Sequence, residues 1–301
     1  MNDNEENLLL ESVKDEIYFK ELFNLLLNNL RLIISLTISA SILTVFYSLS
    51  LPNIYQSKTL LNPTHPEDAV SNVFGGFGGF GFSSGLGVPP GDGRSDSLKA
   101  LEKLRTLSFF EENILPNIFL PDLMALRAWD SKTNTLSYNN GYYIKSSDSW
   151  TIDNNSKSKK PSSQESFKVF HNKHLSFNKD LKNNFVTLSI KHESPYIAKQ
   201  WVELIVGEIN SFYRQKEKLE AEKSIDYLNG QLSKAKLAEI KRALADLLKL
   251  EIQKLTLIEA NDFYVYEYID PPAVMEKKTA PSRSIICIVG AFLGLFFAII
   301  F

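Results

Sequence analysis

The chain has a single cysteine, Cys287, in 301 residues. One thiol closes no internal disulfide and builds no CxxC site, which excludes a cysteine-stapled fold and a structural zinc of that type. An excess of charge is missing too. A formal net charge of -2 with 23% charged residues describes neither a nucleic-acid binder nor a disordered tail. Histidine is scarce, at four residues. His171 and His174 stand i, i+3, a spacing that on a strand-and-turn segment does not bring both rings to one point, and both are expected to be solvated. No serine, histidine and carboxylate set stands out. No catalytic, cofactor-binding or metal-binding residue is named.

What is present is long apolar runs. Leu32 to Leu51 holds 20 residues without a charge and Ser284 to Phe301 holds 18. At 1.5 Å per residue such helices cover roughly 27–30 Å, about the hydrocarbon thickness of a bilayer. The first run begins some 30 residues in, behind an acidic stretch and with no A-x-A-like site after it. It is therefore expected to stay as an anchor and not to be cleaved. Lysines and arginines flank both runs, so counting charge does not fix the orientation. Gly290 and Gly294 form G-x-x-x-G in the second run, and Ala40, Thr44 and Ser48 line a small-residue ridge on the first. Together they are candidates for close helix packing.

Both runs border residues 52–283, so the bulk of the chain lies on one side of the membrane. Tyr55 to Leu61 reads as a strand, and Ser97 to Leu107 as a short amphipathic helix capped by Ser95 or Asp96. Thr151 to Pro161 is a polar, turn-rich surface loop. In Phe185 to Lys191 the apolar Val186, Leu188 and Ile190 alternate with polar residues, the period-2 pattern of a half-buried strand, with His174 to Asn178 as its partner. Ser194 and Pro195 then open a helical region that meets no further proline until Pro271. An uninterrupted helix would carry the chain about 90 Å outward, whereas a bend at Asn229-Gly230 gives two arms of about 45–55 Å each. A return strand follows over Phe263 to Ile269. The stripe Leu237, Ile240, Leu244, Leu247, Leu248, Ile252 and Leu255 is wider than one thin arm covers, which points to neighbouring chains.

Gly76, Gly78 and Gly81 reproduce the phosphate-binding spacing G-x-G-x-x-G. No strand leads directly into them and no helix follows, so the cradle fails on context. Five glycines here would cost a helix about 4–5 kcal/mol relative to alanine, hence a loop. Phe74, Phe77, Phe80 and Phe82 make it a candidate interaction loop, meeting a second protomer, lipid or another protein, or else tucked against its own base domain.

Five stretches resemble the Wzz-type chain-length determinants, or polysaccharide co-polymerases. They are DEIYFKELFNLLLNNLRLII before and into the first run, LPNIYQSKTLLNP after it, and SLKALEKLRTLSFFEENILP. The fourth is PSSQESFKVFHNKHLSFNKDLKNNFVTLSIKHESPYIAKQWVELIVGEIN and the last YVYEYIDPPAVMEKKTAPSRSIICIVGAFLG. The resemblance implies a multi-pass bacterial inner-membrane protein without chemistry of its own. Its large periplasmic domain would assemble as a homo-oligomeric ring that sets the length of an O-antigen-like lipopolysaccharide beside a separate membrane polymerase, with lipid-linked glycan nearby. Pro271, Pro272 and Pro281 would form a neck. Met275 and Lys278 stand where the family's further spaced prolines belong, which makes this neck less stiff.

The resulting division is a cytoplasmic segment 1–31, membrane helix 32–51, and a periplasmic α/β base 52–193 carrying the Gly/Phe-rich loop 73–93. A long helical hairpin 194–262, a return strand and neck 263–283, and membrane helix 284–301 complete it. The fold class is α+β. Two alternatives stay open: an export subunit for capsule or exopolysaccharide working with a cytoplasmic tyrosine kinase, of which no domain follows the second run, and a periplasmic adaptor of a secretion machine, which usually needs only one anchor.

Overall fold

A computed structural model describes residues 29–64, 93–152, 157–180 and 182–300. In chain order the elements are helix α1 (Leu30–Ser50), strand β1 (Tyr55–Pro63), helix α2 (Gly93–Leu104), and strands β2 (Leu126–Asp130), β3 (Thr135–Tyr138), β4 (Tyr143–Ile144) and β5 (Ser149–Trp150). Helix α3 (Ser163–Val169), strands β6 (Leu175–Lys179) and β7 (Val186–His192), helices α4 (Pro195–Lys234) and α5 (Ala238–Ala260), strand β8 (Tyr266–Asp270) and helix α6 (Arg283–Ile300) follow. The class is mixed helix and sheet, with an apolar helix towards each end. Two compact units result, Met1–Asn53 with Thr279–Phe301, and Ile54–Lys278.

In the first unit α1 and α6 are long and apolar enough to cross a membrane. Large side chains such as Leu43, Phe46, Phe292 and Phe296 lie exposed along them. In water each would forgo about 1.5–3 kcal/mol of burial, so these are not the core helices of a soluble domain. Two hydroxyls of α1 turn onto its own backbone: Thr37 donates to the Ile33 carbonyl at 2.8 Å and Ser41 to that of Thr37 at 2.8 Å. Such back-bonding leaves those hydroxyls satisfied where no water is at hand.

The second unit is built on a four-stranded sheet in the order β6-β7-β1-β8, with every neighbouring pair antiparallel. The alternation read in β7 is real: Val186, Leu188 and Ile190 are buried. Its partner is the expected one, with Leu175 opposite Ile190 and Phe177 opposite Leu188. Asn184, with φ 58°, takes the left-handed turn between β6 and β7. The first half of α4 packs on β1 and β7. There Ala198, Trp201, Val202, Ile205 and Ile209 join Phe109 and Phe110 in the core.

Helix α2 begins at Gly93, ahead of the Ser95 or Asp96 cap read from the sequence, and ends at Leu104. It stops short of Leu107 because Thr106 opens a new helical turn by accepting from the Phe109 N–H at 3.3 Å.

The bend between the arms is not at Asn229-Gly230. Helix α4 runs through Gly230 to Lys234, and the extended residues Ala235 and Leu237 form the turn. A single glycine costs a helix about 1 kcal/mol against alanine, too little to break one anchored along its whole first half. The arms are also unequal, 40 and 23 residues, or about 60 and 35 Å. The difference is the part of α4 that lies on the sheet; only its remainder is matched by α5.

Candidate functional site

The glycines and small residues of the two apolar helices meet. A Cβ placed on Gly290 would lie 2.2 Å from Thr44 Cγ2, and one on Gly294 2.6 Å from Ala40 Cβ. No side chain fits at either glycine without moving its neighbour. Ser48 is buried as well, and its hydroxyl has no hydrogen-bond partner among the described residues. At the start of α6 the Arg283 guanidinium donates to Asn53 Oδ1 at 3.1 Å.

The free part of α4 and α5 are clamped by ion pairs, Lys218 to Glu259 at 2.7 Å and Lys254 to Glu217 at 3.0 Å. The first pair is exposed and worth about 0–1 kcal/mol, the second is half-buried, and together they set register more than stability. The apolar face of α5 is only half used. Ile258 is its one buried residue. Leu247 and Leu250 remain 42% and 49% exposed, and Ile240 and Ile252 are similar.

The histidines depart from expectation. His174 is buried, not solvated, and its Nδ1 lies 2.7 Å from the Lys191 carbonyl. His192, which the sequence did not single out, is buried beside it with ring centres 5.5 Å apart, and Trp201 lies edge-on to both. The Ser194 N–H donates to His192 Nδ1 at 3.0 Å, so the neutral ring carries its proton on Nε2, facing the Asp122 carbonyl at 3.2 Å. Burial pushes both rings below their ordinary value, His192 to about 3. They are neutral core residues. His171, on the π-helical turn that ends at His174, packs instead against Phe167. Among the described residues no cluster of three or more His, Cys, Asp or Glu could hold a metal ion.

Pro271 and Pro272 directly follow β8, the first exposed and the second buried, and Pro281 precedes α6. Phe74, Phe77, Phe80 and Phe82 lie outside the described residues, as does nearly all of the N-terminal segment.

One assembly escaped sequence reading. Phe119, Tyr138, Tyr143 and Trp150 form a chain of edge-on and tilted rings, with Phe119 to Tyr143 at 5.9 Å, Tyr138 to Tyr143 at 5.4 Å and Tyr143 to Trp150 at 5.5 Å. The Tyr138 hydroxyl donates to Asp122 Oδ1 at 2.6 Å and that of Tyr143 to Asp148 Oδ1. Burial raises the Asp122 carboxyl above its usual range. Tyr143, Asp148 and Trp150 line a cleft of about 380 Å³ with Phe119 and Lys160. The available signal was the density of aromatics between Trp129 and Trp150.

Comparison with known proteins agrees with the resemblance. Residues 15–100 match the family described as Wzz, chain length determinant protein. That stretch contains α1, β1 and most of α2. No curated protein matches the chain. Among solved structures it is similar to a full-length bacterial polysaccharide co-polymerase, with a TM-score of 0.38 and 11% identity over 91% of this chain and 92% of that one. A fragment of the co-polymerase WzzB from Salmonella Typhimurium gives 0.32 and 10%, covering 76% and 100%. A mutant of the Shigella flexneri lipopolysaccharide O-antigen chain-length regulator WzzBSF gives 0.24 and 12%, covering 75% and 99%.

Proposed function

We propose that this chain regulates the length of a surface polysaccharide, O-antigen-like in kind, as a homo-oligomeric scaffold in a bacterial inner membrane. The observation that carries this reading is the chain-length-determinant match over residues 15–100, which takes in the first apolar helix and the strand that follows it. A second apolar helix, 283–300, returns the chain, so residues between the two share one side of the membrane, here the periplasm. In this reading the part played is that of a scaffold for a separate polymerase.

Two helices packed through Gly290, Gly294, Ala40 and Thr44 anchor the head, the segment around Pro271, Pro272 and Pro281 joins head to membrane, and the apolar flank of α5 is covered by the next protomer of a ring. In this reading Phe74, Phe77, Phe80 and Phe82, outside the described residues, meet a neighbouring protomer, lipid or the polymerase, the alternative being a place against their own base domain. Such a ring changes how long a lipid-linked glycan stays engaged by a separate polymerase, altering length without altering linkage.

The test is a gel ladder of the surface polysaccharide with and without the protein. Deletion leaves synthesis running and replaces a clustered length distribution with a broad one skewed to short chains. Complete loss of polymer would point to export, and an identical ladder would sink the reading.

A further inference from the structure

The cleft bounded by residues 115–121, the β4–β5 hairpin and the first turn of α3 has walls of two kinds. Phe119, Tyr143 and Trp150 supply aromatic surface, while Asp148, Lys160 and Ser163 supply a carboxylate, an ammonium and a hydroxyl. Its volume of about 380 Å³ lies in the lower part of the range of roughly 300–1,000 Å³ typical of small-ligand sites. Phe119 stays 48% exposed although two aromatic neighbours stand within packing distance.

The walls are also held in place. Tyr143 is buried, its hydroxyl fixed on Asp148 and its ring wedged between Phe119 and Trp150. Asp148 sits at φ 47° in the turn of the hairpin. That left-handed conformation is one that Asp adopts readily in hairpin turns, and it fixes where the carboxylate leaves the backbone. Behind Ser163, the Ser162 hydroxyl accepts from the Glu165 N–H and the Glu165 carboxylate accepts from the Ser162 N–H, so a capping box fixes the adjoining end of α3.

A pyranose matches such walls. Its ring faces carry C–H bonds that lie against aromatic surface, and its rim carries hydroxyls that donate to a carboxylate and accept from an ammonium. A phosphorylated ligand fits worse, since Lys160 is the one cation among the described residues of the lining and Asp148 opposes a second negative charge. A purely apolar ligand would leave the polar rim unpaired. Asp148 is also the one carboxylate among the described residues of the lining, whereas glycoside cleavage usually needs two flanking the bond. The site is therefore one of binding.

We propose that this cleft binds one pyranose unit of a glycan, laid against the wall formed by Phe119, Tyr143 and Trp150 with Asp148 and Lys160 at its hydroxyl rim. The inference deepens the proposed function and rests on it for the class of polymer presented to the cleft.

The experiment is saturation-transfer NMR on the full chain in nanodiscs. The probes are the methyl glycosides of glucose, galactose, mannose, rhamnose and N-acetylglucosamine, with a decaproline peptide as the competing ligand class. Ring C–H protons of at least one glycoside receive saturation, and Trp150→Ala and Phe119→Ser each weaken its binding about tenfold or more. Lys160→Met and Asp148→Asn, which leave the aromatic wall intact, weaken it also, so a fold defect in the first two variants does not remove the test. Transfer to none of the glycosides, transfer unchanged in all four variants, or transfer to decaproline alone overturns the proposal. The readout involves neither polymerase nor chain length. A broadened ladder on deletion with no glycoside binding sinks the cleft and leaves the length reading, and an unchanged ladder with binding does the reverse.

Discussion

Asn210 is buried in α4 where the chain comes back from the hairpin, and its amide serves the returning strand from both ends. Its Oδ1 accepts from the N–H groups of Tyr264, Val265 and Tyr266 at 3.0, 2.7 and 3.0 Å, while its Nδ2 donates to the Tyr266 carbonyl at 2.9 Å. Asn210→Leu removes these four bonds from a buried site, and the expected loss is about 3–5 kcal/mol, read as a lower midpoint in denaturant. A loss below 1 kcal/mol would show that the return strand is held elsewhere.

His192 acts at the same scale through protonation. Its folded value lies near 3, because burial and the neighbouring His174 disfavour charge, against about 6.5 unfolded. The unfolded chain therefore takes up the proton first. Stability is complete above pH 6.5 and falls as the pH drops through the window between the two values. By pH 5 the loss from this residue is ~2 kcal/mol. Asp122 and Glu193, raised by burial, work in the opposite sense and offset part of it at the acid end. Thermal unfolding of the wild type at pH 7.5 and pH 5 should differ by more than that of His192→Asn; equal differences would remove the ring from the account.

At the scale of elements, the fit of α1 and α6 is set by volume. Gly290→Ala drives a methyl group into Thr44, an overpacking expected to cost about 1–3 kcal/mol. Adding Thr44→Gly restores the space, so the double variant should melt in detergent above the single one; no rescue would mean that the pair is not held by this contact. The hairpin gives a second test. Leu247→Glu and Leu250→Glu leave the buried side of α5 untouched, since both positions are exposed in the single chain. If a second copy covers this flank, particle mass in mild detergent falls while the circular dichroism spectrum stays the same. An unchanged mass would place the protomer contact elsewhere.

These elements differ in how readable they are. The alternation of β7, the apolar stripe of α5 and the glycine spacing of α6 are local patterns, each complete within a few turns or one strand. The tip of the hairpin is not local: the length of α4 resting on the sheet decides which residues remain free to pair with α5, and Gly230 carries no sign of that. The burial of His174 is not legible for the same reason, because what packs against it is Trp201 and His192 from later segments. The aromatic cleft rests on strands of two residues, too short to show a period.

For the whole molecule, chain connectivity makes a topological claim that does not depend on any glycan. On the proposed reading both apolar helices cross the membrane, so the chain between them belongs on one side and the chain before α1 on the other, and a regulator of surface polymer needs the larger part outside the cytoplasm. With one native thiol, Cys287, partly buried within α6, a Cys287→Ser background is blank for labelling. In it, Lys132→Cys lies in the exposed turn between β2 and β3, and Asn4→Cys precedes the first apolar run. A membrane-impermeant maleimide added to cells with a permeabilised outer membrane should label the first and not the second. Disrupting the inner membrane should then label both. The inverse pattern would put the head in the cytoplasm, where a periplasmic polymer is out of its reach, and labelling of both in intact spheroplasts would mean that α1 and α6 do not together form a two-span anchor.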